Sequence, residues 1–289
     1  MADPKEKLAA SLELLKAMQD QGKVAIRADD IGRTHRERLY ENGFLSEITK
    51  GWYMISDPKV SDNTTTWLAG YWSFCAQYFS YKFADNYFVS ADRSLLIHAG
   101  NTSIPGQLLV KSPKASNSRI NLPSESSFFE MRAKMPDKKN LNSYMGLNIH
   151  SKASALIYAS PSVYRLFPDN AAIVLTSFRD ASELLSILLE NSHTDIAGRL
   201  AGAYRFLGKE IIADEIIASM RAAGHKPRES NPFEKPLFIK LKNTASPHAQ
   251  RLQVLWEKFR PDSIARFPQS KGMDKNIDAR LAKTDEIYT

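Results

Sequence analysis

Basic side chains near the start of the chain are the residues best suited to binding chemistry. Arginine carries a planar guanidinium whose N–H donors can pair with the edge of a guanine base or with phosphate oxygens. Histidine and lysine add further donors. The sequence therefore predicts a DNA contact group made of Arg33, His35, Arg36, Arg38 and Lys50.

A first helix is predicted immediately upstream of this group. Asp3, Pro4 and Glu6 form a helix start, with aspartate as the cap, proline at the first helical position and glutamate reaching back to the cap. Leucines at helical spacing follow until Gly22. The pattern predicts one amphipathic helix.

The next elements would carry the contact group itself. Residues 23–26 predict a short strand, and residues 28–31 predict a single helical turn. Thr34 and Glu37 have the spacing of a capping box, so a further helix is predicted from Thr34 to Asn42. Three of the basic residues lie on this helix and one directly precedes it.

A hairpin completes the N-terminal region. Residues 44–49 and 52–56 predict two strands, joined by a tight turn at Lys50 and Gly51. Helix, strand, two helices and hairpin is the order of a winged helix, whose third helix enters the DNA major groove while the hairpin lies along the backbone. Winged helices also dock onto proteins. Residues 1–60 carry ten Lys or Arg and ten Asp or Glu, so a protein-docking role stays open.

The excess positive charge lies in the middle of the chain. The whole sequence has 39 Lys and Arg against 32 Asp and Glu, a net charge of +7. Residues 107–152, the basic segment, contain eight basic and three acidic residues. Such a segment either attracts phosphates or is a solvated face that favours solubility. The candidate phosphate contacts are Lys111, Lys114 and Arg119.

The remaining patterns indicate an α+β fold with separate strand and helix regions. Ten aromatic residues lie within residues 67–88, at the spacing of a buried helix stripe rather than a base-stacking platform. Strands are predicted at 107–111, 128–134, 147–150 and 155–159. Helices are predicted from Asp180 onward, over 195–207 and 209–223, and again over 250–259 and 276–288. The second of these has a face of small residues that lets another segment approach: Ala197, Gly198, Ala201 and Gly202.

These elements suggest three regions: a winged helix over 1–60, an α/β region with C-terminal helices over 61–226, and a proline-rich connector with helices over 227–289. Cys75 is the single cysteine, and the six histidines lack metal-ligand spacing, so we expect no disulfide, metal or cofactor. The start of the chain lacks a signal peptide and no apolar run reaches the length of a membrane span, which predicts a cytoplasmic protein with no membrane partner.

Two families resemble parts of the chain. The segment GFLSEITKGWYMISD at 43–57 is similar to the winged-helix hairpin of AbiEi-type antitoxins. The helical stretch at 196–233, from IAGRLAGAYRFLGKEIIADE to the sequence NPF, resembles the N-terminal half of long bacterial Fic-domain proteins. The last residues, IDARLAKTDEIYT at 277–289, resemble the helix that precedes the Fic catalytic domain.

The Fic resemblance implies an AMP-transferase whose catalytic part would follow this chain. That family uses a His-Pro-Phe loop with a Gly-Asn-Gly-Arg continuation, and the nearest string here, NPFE at 231–234, lacks the histidine and the glycines. No catalytic residue is therefore expected in this chain. The resemblance implies an N-terminal fragment or truncated form of a Fic-type protein.

Two functional hypotheses follow. The first is a non-catalytic, DNA-binding regulator of the antitoxin-like type, which contacts double-stranded DNA through the DNA contact group. The alternative is a protein-interaction or oligomerisation module, which pairs with itself as a homodimer or recruits a protein target for a downstream Fic domain.

Overall fold

The computed structural model describes residues 3–59 and 63–233, which lie within one compact unit, Met1–Lys235. Their helices are α1 (Pro4–Asp20), α2 (Arg33–Glu41), α3 (Asn63–Phe83), α4 (Ala91–His98), α5 (Lys152–Tyr158), α6 (Pro161–Leu166), α7 (Pro168–Thr176), α8 (Ser182–Glu190), α9 (Thr194–Phe206) and α10 (Glu210–Ala222). Their strands are β1 (Ala25–Arg27), β2 (Leu45–Thr49), β3 (Trp52–Ile55), β4 (Phe88–Val89), β5 (Leu108–Ser112), β6 (Arg119–Asn121), β7 (Ser127–Arg132), β8 (Leu141–Tyr144) and β9 (Leu147–His150).

The strands form three sheets, and the expected α+β class is confirmed. Strands β1, β3 and β2 form an antiparallel sheet in that order. A second sheet has the order β4, β5, β7, β6, with β5 and β7 parallel to each other. Strands β8 and β9 form a separate hairpin. Within the described ranges, no helix is both long enough and apolar enough to cross a membrane.

The first sheet is apolar on both faces. Side chains alternate along a strand, so neighbouring residues enter different cores. In β1, Ile26 packs with α1 and α2, whereas Ala25 packs with α3. In β3, Tyr53 and Ile55 face the first core, whereas Trp52 and Met54 face the second. The sheet is therefore held between two helical layers.

Helix α3 packs against both larger sheets. As predicted, its aromatic stripe of Trp67, Tyr71, Phe74 and Tyr78 is buried. Towards the first sheet, the Trp52 ring lies 5.7 Å from Phe74 and 5.5 Å from Tyr78. Towards the second sheet, Phe128 of β7 lies 5.4 Å from Tyr78.

An ion pair also connects α3 to β7. The carboxylate of Glu130 is fully buried and accepts a hydrogen bond from Lys82 Nζ at 2.6 Å. Ser116 Oγ donates to the other carboxylate oxygen at 3.3 Å. A buried carboxylate requires such partners, because desolvating an unpaired charge is costly.

Residues 152–222 form a layer of helices around α5. Leu156, Leu184, Leu200 and Ile216, from four different helices, are fully buried in one cluster. The phenol of Tyr164 donates to the Leu156 carbonyl oxygen at 2.8 Å, which satisfies a buried hydroxyl. This layer accounts for the continuous apolar stretches of the sequence after residue 150.

Three local predictions are wrong. Residues 28–30 form a turn rather than a helix. The Asp30 carboxylate accepts a hydrogen bond from the backbone N–H of Arg27 at 3.0 Å, which stabilises the turn. Helix α2 is capped by Gly32 rather than by Thr34, and Glu37 pairs with Arg33 instead of the cap. Residues 155–159 do not form a strand. They belong mainly to α5, whose Ser151 cap accepts the Ser154 N–H at 3.2 Å.

The small-residue face of α9 is confirmed as a close-packing surface. The segment 227–233 crosses α9 there, and Ser230 N–H donates to the Gly198 carbonyl oxygen at 3.2 Å. A Cβ atom on Gly198 would collide with the Arg228 carbonyl, and one on Gly202 would collide with the Ser230 carbonyl. The helices predicted at 250–259 and 276–288 lie outside the described residues.

Substitution of Gly198 by alanine tests this contact. In a helix free of the crossing segment, Gly→Ala stabilises by up to about 1 kcal/mol. Because the added methyl group meets backbone atoms, we expect Gly198→Ala to lower the free energy of unfolding by about 1–3 kcal/mol. Urea denaturation measures this change in the free energy of unfolding. Gly106→Ala is the control, since a Cβ there contacts nothing within 4 Å. Stabilisation of the Gly198→Ala variant would contradict the packing described here.

Candidate nucleic-acid interface

Helix α2 carries the predicted contact group and is fixed by its inner face. Leu39 is fully buried between α1 and the first sheet. The opposite face is exposed, and Arg33 stands at the first helical position with 81% of its side chain accessible. Its Nε donates to Glu37 Oε1 at 2.6 Å, one turn further along. An exposed ion pair of this kind is weak and readily exchanged for another partner.

Two of the predicted contacts instead join α2 to α1. Ser11 of α1 is fully buried, and its Oγ lies 2.9 Å from His35 Nδ1. Arg38 donates to the same Oγ and to the Lys7 carbonyl oxygen, both at 2.9 Å. These polar groups therefore stabilise the helix pair.

Arg36 is also engaged within the fold. Its Nη1 donates to the Ala28 carbonyl oxygen at 2.8 Å. Its guanidinium carbon lies 5.7 Å from the centre of the Tyr53 ring, within the range of a cation–π contact. Arg36 thus joins α2 to the turn after β1 and to β3.

Lys50 lies at the tip of the β2–β3 hairpin, where the sequence placed it. The following Gly51 has φ of +77°, a conformation that favours glycine and lets the chain reverse within two residues. Lys50 is exposed and has no hydrogen-bond or ion-pair partner within residues 3–59 and 63–233.

The structure therefore divides the predicted group. Arg33 and Lys50 are accessible, whereas His35, Arg36 and Arg38 have partners inside the fold. The sequence contains a signal for part of this division. Ser11 is four residues from the buried Leu15, and His35 is four residues from the buried Leu39, so both polar residues lie on the packing faces of their helices.

The candidate phosphate contacts of the basic segment lie on β5, on the loop after it and on β6. Arg119 pairs with Phe129, and Lys111 pairs with Met131, so both basic residues share one face of the second sheet. Strand β7 lies between their strands, which separates the two by about 10 Å or more. Lys114 is exposed on the loop after β5.

Lys111 borders a cleft of about 440 Å³ that the sequence analysis missed. His150, at the end of β9, lines it and is 5% exposed. Its ring Nδ1 lies 2.7 Å from Ser154 Oγ, and its backbone N–H donates to Ser94 Oγ at 3.1 Å. We call this feature the His150 cleft. The local sequence signal for this contact is the spacing of the two residues. His150 precedes Ser154, in the first turn of α5, by four positions.

The imidazole of His150 is neutral near pH 7. Burial lowers its pKa to about 4, and the positive charge of Lys111 and the neighbouring His98 contribute in the same direction. Burial also lowers the pKa of His98, whose Nε2 donates to the His150 carbonyl oxygen at 2.7 Å.

No protein-family model matches this chain, and no curated protein sequence matches it. Its structure is similar to the crystal structure of the RV2827C protein from Mycobacterium tuberculosis, with 15% sequence identity and a TM-score of 0.44. The similarity covers 73% of this chain and 81% of that chain. These values do not assign the chain to a family.

The Ser11 network is expected to hold α1 against α2. Ser11→Ala removes the hydroxyl shared by His35 and Arg38, which should lower the free energy of unfolding by about 1–3 kcal/mol. Urea denaturation measures the loss. Ser186→Ala, at an exposed position in α8, should leave stability nearly unchanged. Equal stability of the two variants would show that the network does not stabilise the pair.

His150 should make the protein less stable in acid. The unfolded chain binds a proton near pH 6.5, whereas the folded chain resists protonation of His150 until about pH 4. Stability present above pH 6.5 is therefore lost as the pH falls towards 4, by about 3 kcal/mol for this group. Urea denaturation at several pH values should show a smaller loss in His150→Gln. An unchanged pH slope in that variant would contradict the assignment.

Proposed function

We propose that this protein is a DNA-binding regulator whose residues 1–56 act as a winged helix. The observation that carries the proposal is the arrangement of α1, β1, α2, β2 and β3. The three strands pair in the order β1, β3, β2, and both the outer face of α2 and the hairpin tip remain exposed. The antitoxin-like hairpin sequence at 43–57 supports the same function.

In this proposal the turn at 28–30 takes the place of the expected second helix, and α2 corresponds to the third helix and enters the major groove by its N-terminal end. Arg33 is placed to donate to guanine O6 and N7, and Glu37, one turn later, can accept from the amino group of cytosine. In the absence of DNA, the ion pair between them holds the Arg33 side chain on the outer face of the helix. The exposed N–H groups at the start of α2 favour a nearby phosphate.

Lys50 would contact the phosphate backbone from the hairpin tip. His35, Arg36 and Arg38 then contribute by orienting α2 against α1 and the sheet rather than by touching DNA. The exposed face of α2 that would contact DNA is called the reading surface. Because Glu37 and Glu41 are exposed on this helix, the reading surface carries little net charge. Binding would therefore depend more on base contacts than on general attraction to phosphates.

DNA selection followed by binding measurements tests this function. We expect duplexes enriched from a random pool at about 100 mM salt to share a sequence motif. Arg33→Ala should weaken binding to the enriched duplex by about 5- to 150-fold and relax the preference at one base pair, because a bidentate base contact is lost. Lys50→Ala should weaken binding to all duplexes and reduce the slope of log affinity against log salt by about one.

Lys226→Ala is the matched control for these two variants, since Lys226 is an exposed lysine after α10. It should bind the enriched duplex as the unchanged protein does. If no motif is enriched, or if Arg33→Ala binds every duplex with unchanged affinity, the proposed reading surface is wrong.

A protein-interaction role is the second candidate, and exposed apolar side chains of the helical layer favour it. Ile211 is 85% exposed, Leu166 71% and Phe206 58%. Where such side chains form one continuous patch, they mark a surface that binds another protein. Light scattering that shows a concentration-dependent dimer, together with absence of an enriched DNA motif, would favour this candidate over the first.

A further inference from the structure

The His150 cleft has the size and construction of a ligand site. Its volume of about 440 Å³ falls in the range of small-molecule sites in proteins. Its walls come from segments far apart in the sequence: the start of α4, strands β4, β5 and β9, the residues after β7, and the ends of α5 and α8. Tertiary packing of these segments therefore creates the cleft.

Aromatic rings form one part of the wall. The rings of Phe88 and His150 are perpendicular, with centroids 5.2 Å apart, and the Tyr158 ring lies 5.9 Å from His150. Ala91 and Pro136 add apolar surface. Faces and edges of this kind accept a planar ring, which would stack or pack edge-on against them.

Polar groups converge on the same space. Lys111 and Lys134 supply two positive charges, and Asp137 supplies the single carboxylate among the residues that line the cleft. With a neutral His150 the lining carries a charge of about +1 from these groups (2 − 1). The net positive charge of the lining therefore favours an anionic ligand.

His150 provides the most specific part of this surface. Its side chain is more than nine-tenths buried, and Nδ1 contacts Ser154 Oγ. Its Nε2 has no hydrogen-bond partner among the described residues, although the ring lines the cleft. A ring nitrogen at the wall of a cleft that has no partner in the fold can donate to or accept from a ligand.

We propose that the His150 cleft binds a small organic anion that consists of a planar ring joined to one anionic group. The ring packs against Phe88 and Tyr158, Lys111 and Lys134 bind the anionic group, and His150 Nε2 hydrogen-bonds a polar atom of the ligand. A nucleoside monophosphate and an aromatic carboxylate both have this chemistry. The proposal is independent of DNA binding by α2.

Calorimetric titration of the full chain tests the proposal. The probes are AMP and CMP for the phosphate source, and 2-naphthoate and indole-3-carboxylate for the carboxylate source. Adenosine supplies a ring without charge, and inorganic phosphate supplies charge without a ring. Adenosine and inorganic phosphate are thus partial probes, and the four ligands that combine a ring with a charge are complete probes. We expect at least one complete probe to bind ten times more tightly than either partial probe. Preference for the nucleotides or for the carboxylates then identifies the source of the anion.

Variants locate the bound probe. Lys111→Met and Lys134→Ala should each weaken binding of the best probe at least fivefold, because each removes a charge-assisted hydrogen bond. His150→Phe keeps an aromatic ring but removes Nε2, and should also weaken binding. Lys134 is exposed, so Lys134→Ala should fold as the unchanged protein does. It therefore tests the proposal even if the variants at Lys111 and His150, which are less exposed, fold poorly.

Lys209→Ala, at an exposed position before α10, is the charge-matched control and should bind the probe with unchanged affinity. The proposal is overturned if no complete probe binds more tightly than the partial probes. It is also overturned if Lys134→Ala and Lys209→Ala bind the best probe equally well.

Discussion

The burial of α3 between two sheets is the interaction on which the rest of the structure depends. On one side Trp52 of β3 packs against Phe74 and Tyr78, and on the other side Phe128 of β7 packs against the same helix. Each fully buried aromatic side chain contributes on the order of 2 kcal/mol through the apolar surface removed from water. The two sheets meet the same stripe of α3, since the Tyr78 ring contacts both Trp52 and Phe128.

This packing also decides where the N-terminal region can present a binding surface. The first sheet uses one face for α3 and the other for α1 and α2, so both of its faces are covered. The outer side of α2 and the hairpin tip remain accessible. Polar groups then fix α2 in place, since His35, Arg36 and Arg38 all have partners on neighbouring elements. Arg36 and Arg38, two of the predicted DNA contacts, thus hold the helix against its neighbours, whereas Arg33 stays accessible.

In the middle of the chain, basic residues that are close in sequence lie on different elements of the fold. Within the basic segment, Lys111 and Arg119 share one face of the second sheet and lie on the two strands that flank β7. Lys111 instead borders the His150 cleft, where its charge helps keep the imidazole neutral. A count of charges along the sequence therefore locates basic residues but does not show which of them share a surface.

The sequence by itself determined the elements with strong local signals: α1 with its cap, the β2–β3 hairpin, the aromatic stripe of α3 and the small-residue face of α9. These depend on contacts within a few residues or on a clear period. The strand prediction for residues 155–159 is wrong because a short apolar run, buried at every position except Tyr158, has no period that separates helix from strand. Only the tertiary structure decided which cations stay exposed and that His150, Lys111 and Tyr158 line one cleft. The physical reason is that both outcomes depend on hydrogen bonds and packing between segments up to about a hundred residues apart, and no local pattern encodes them.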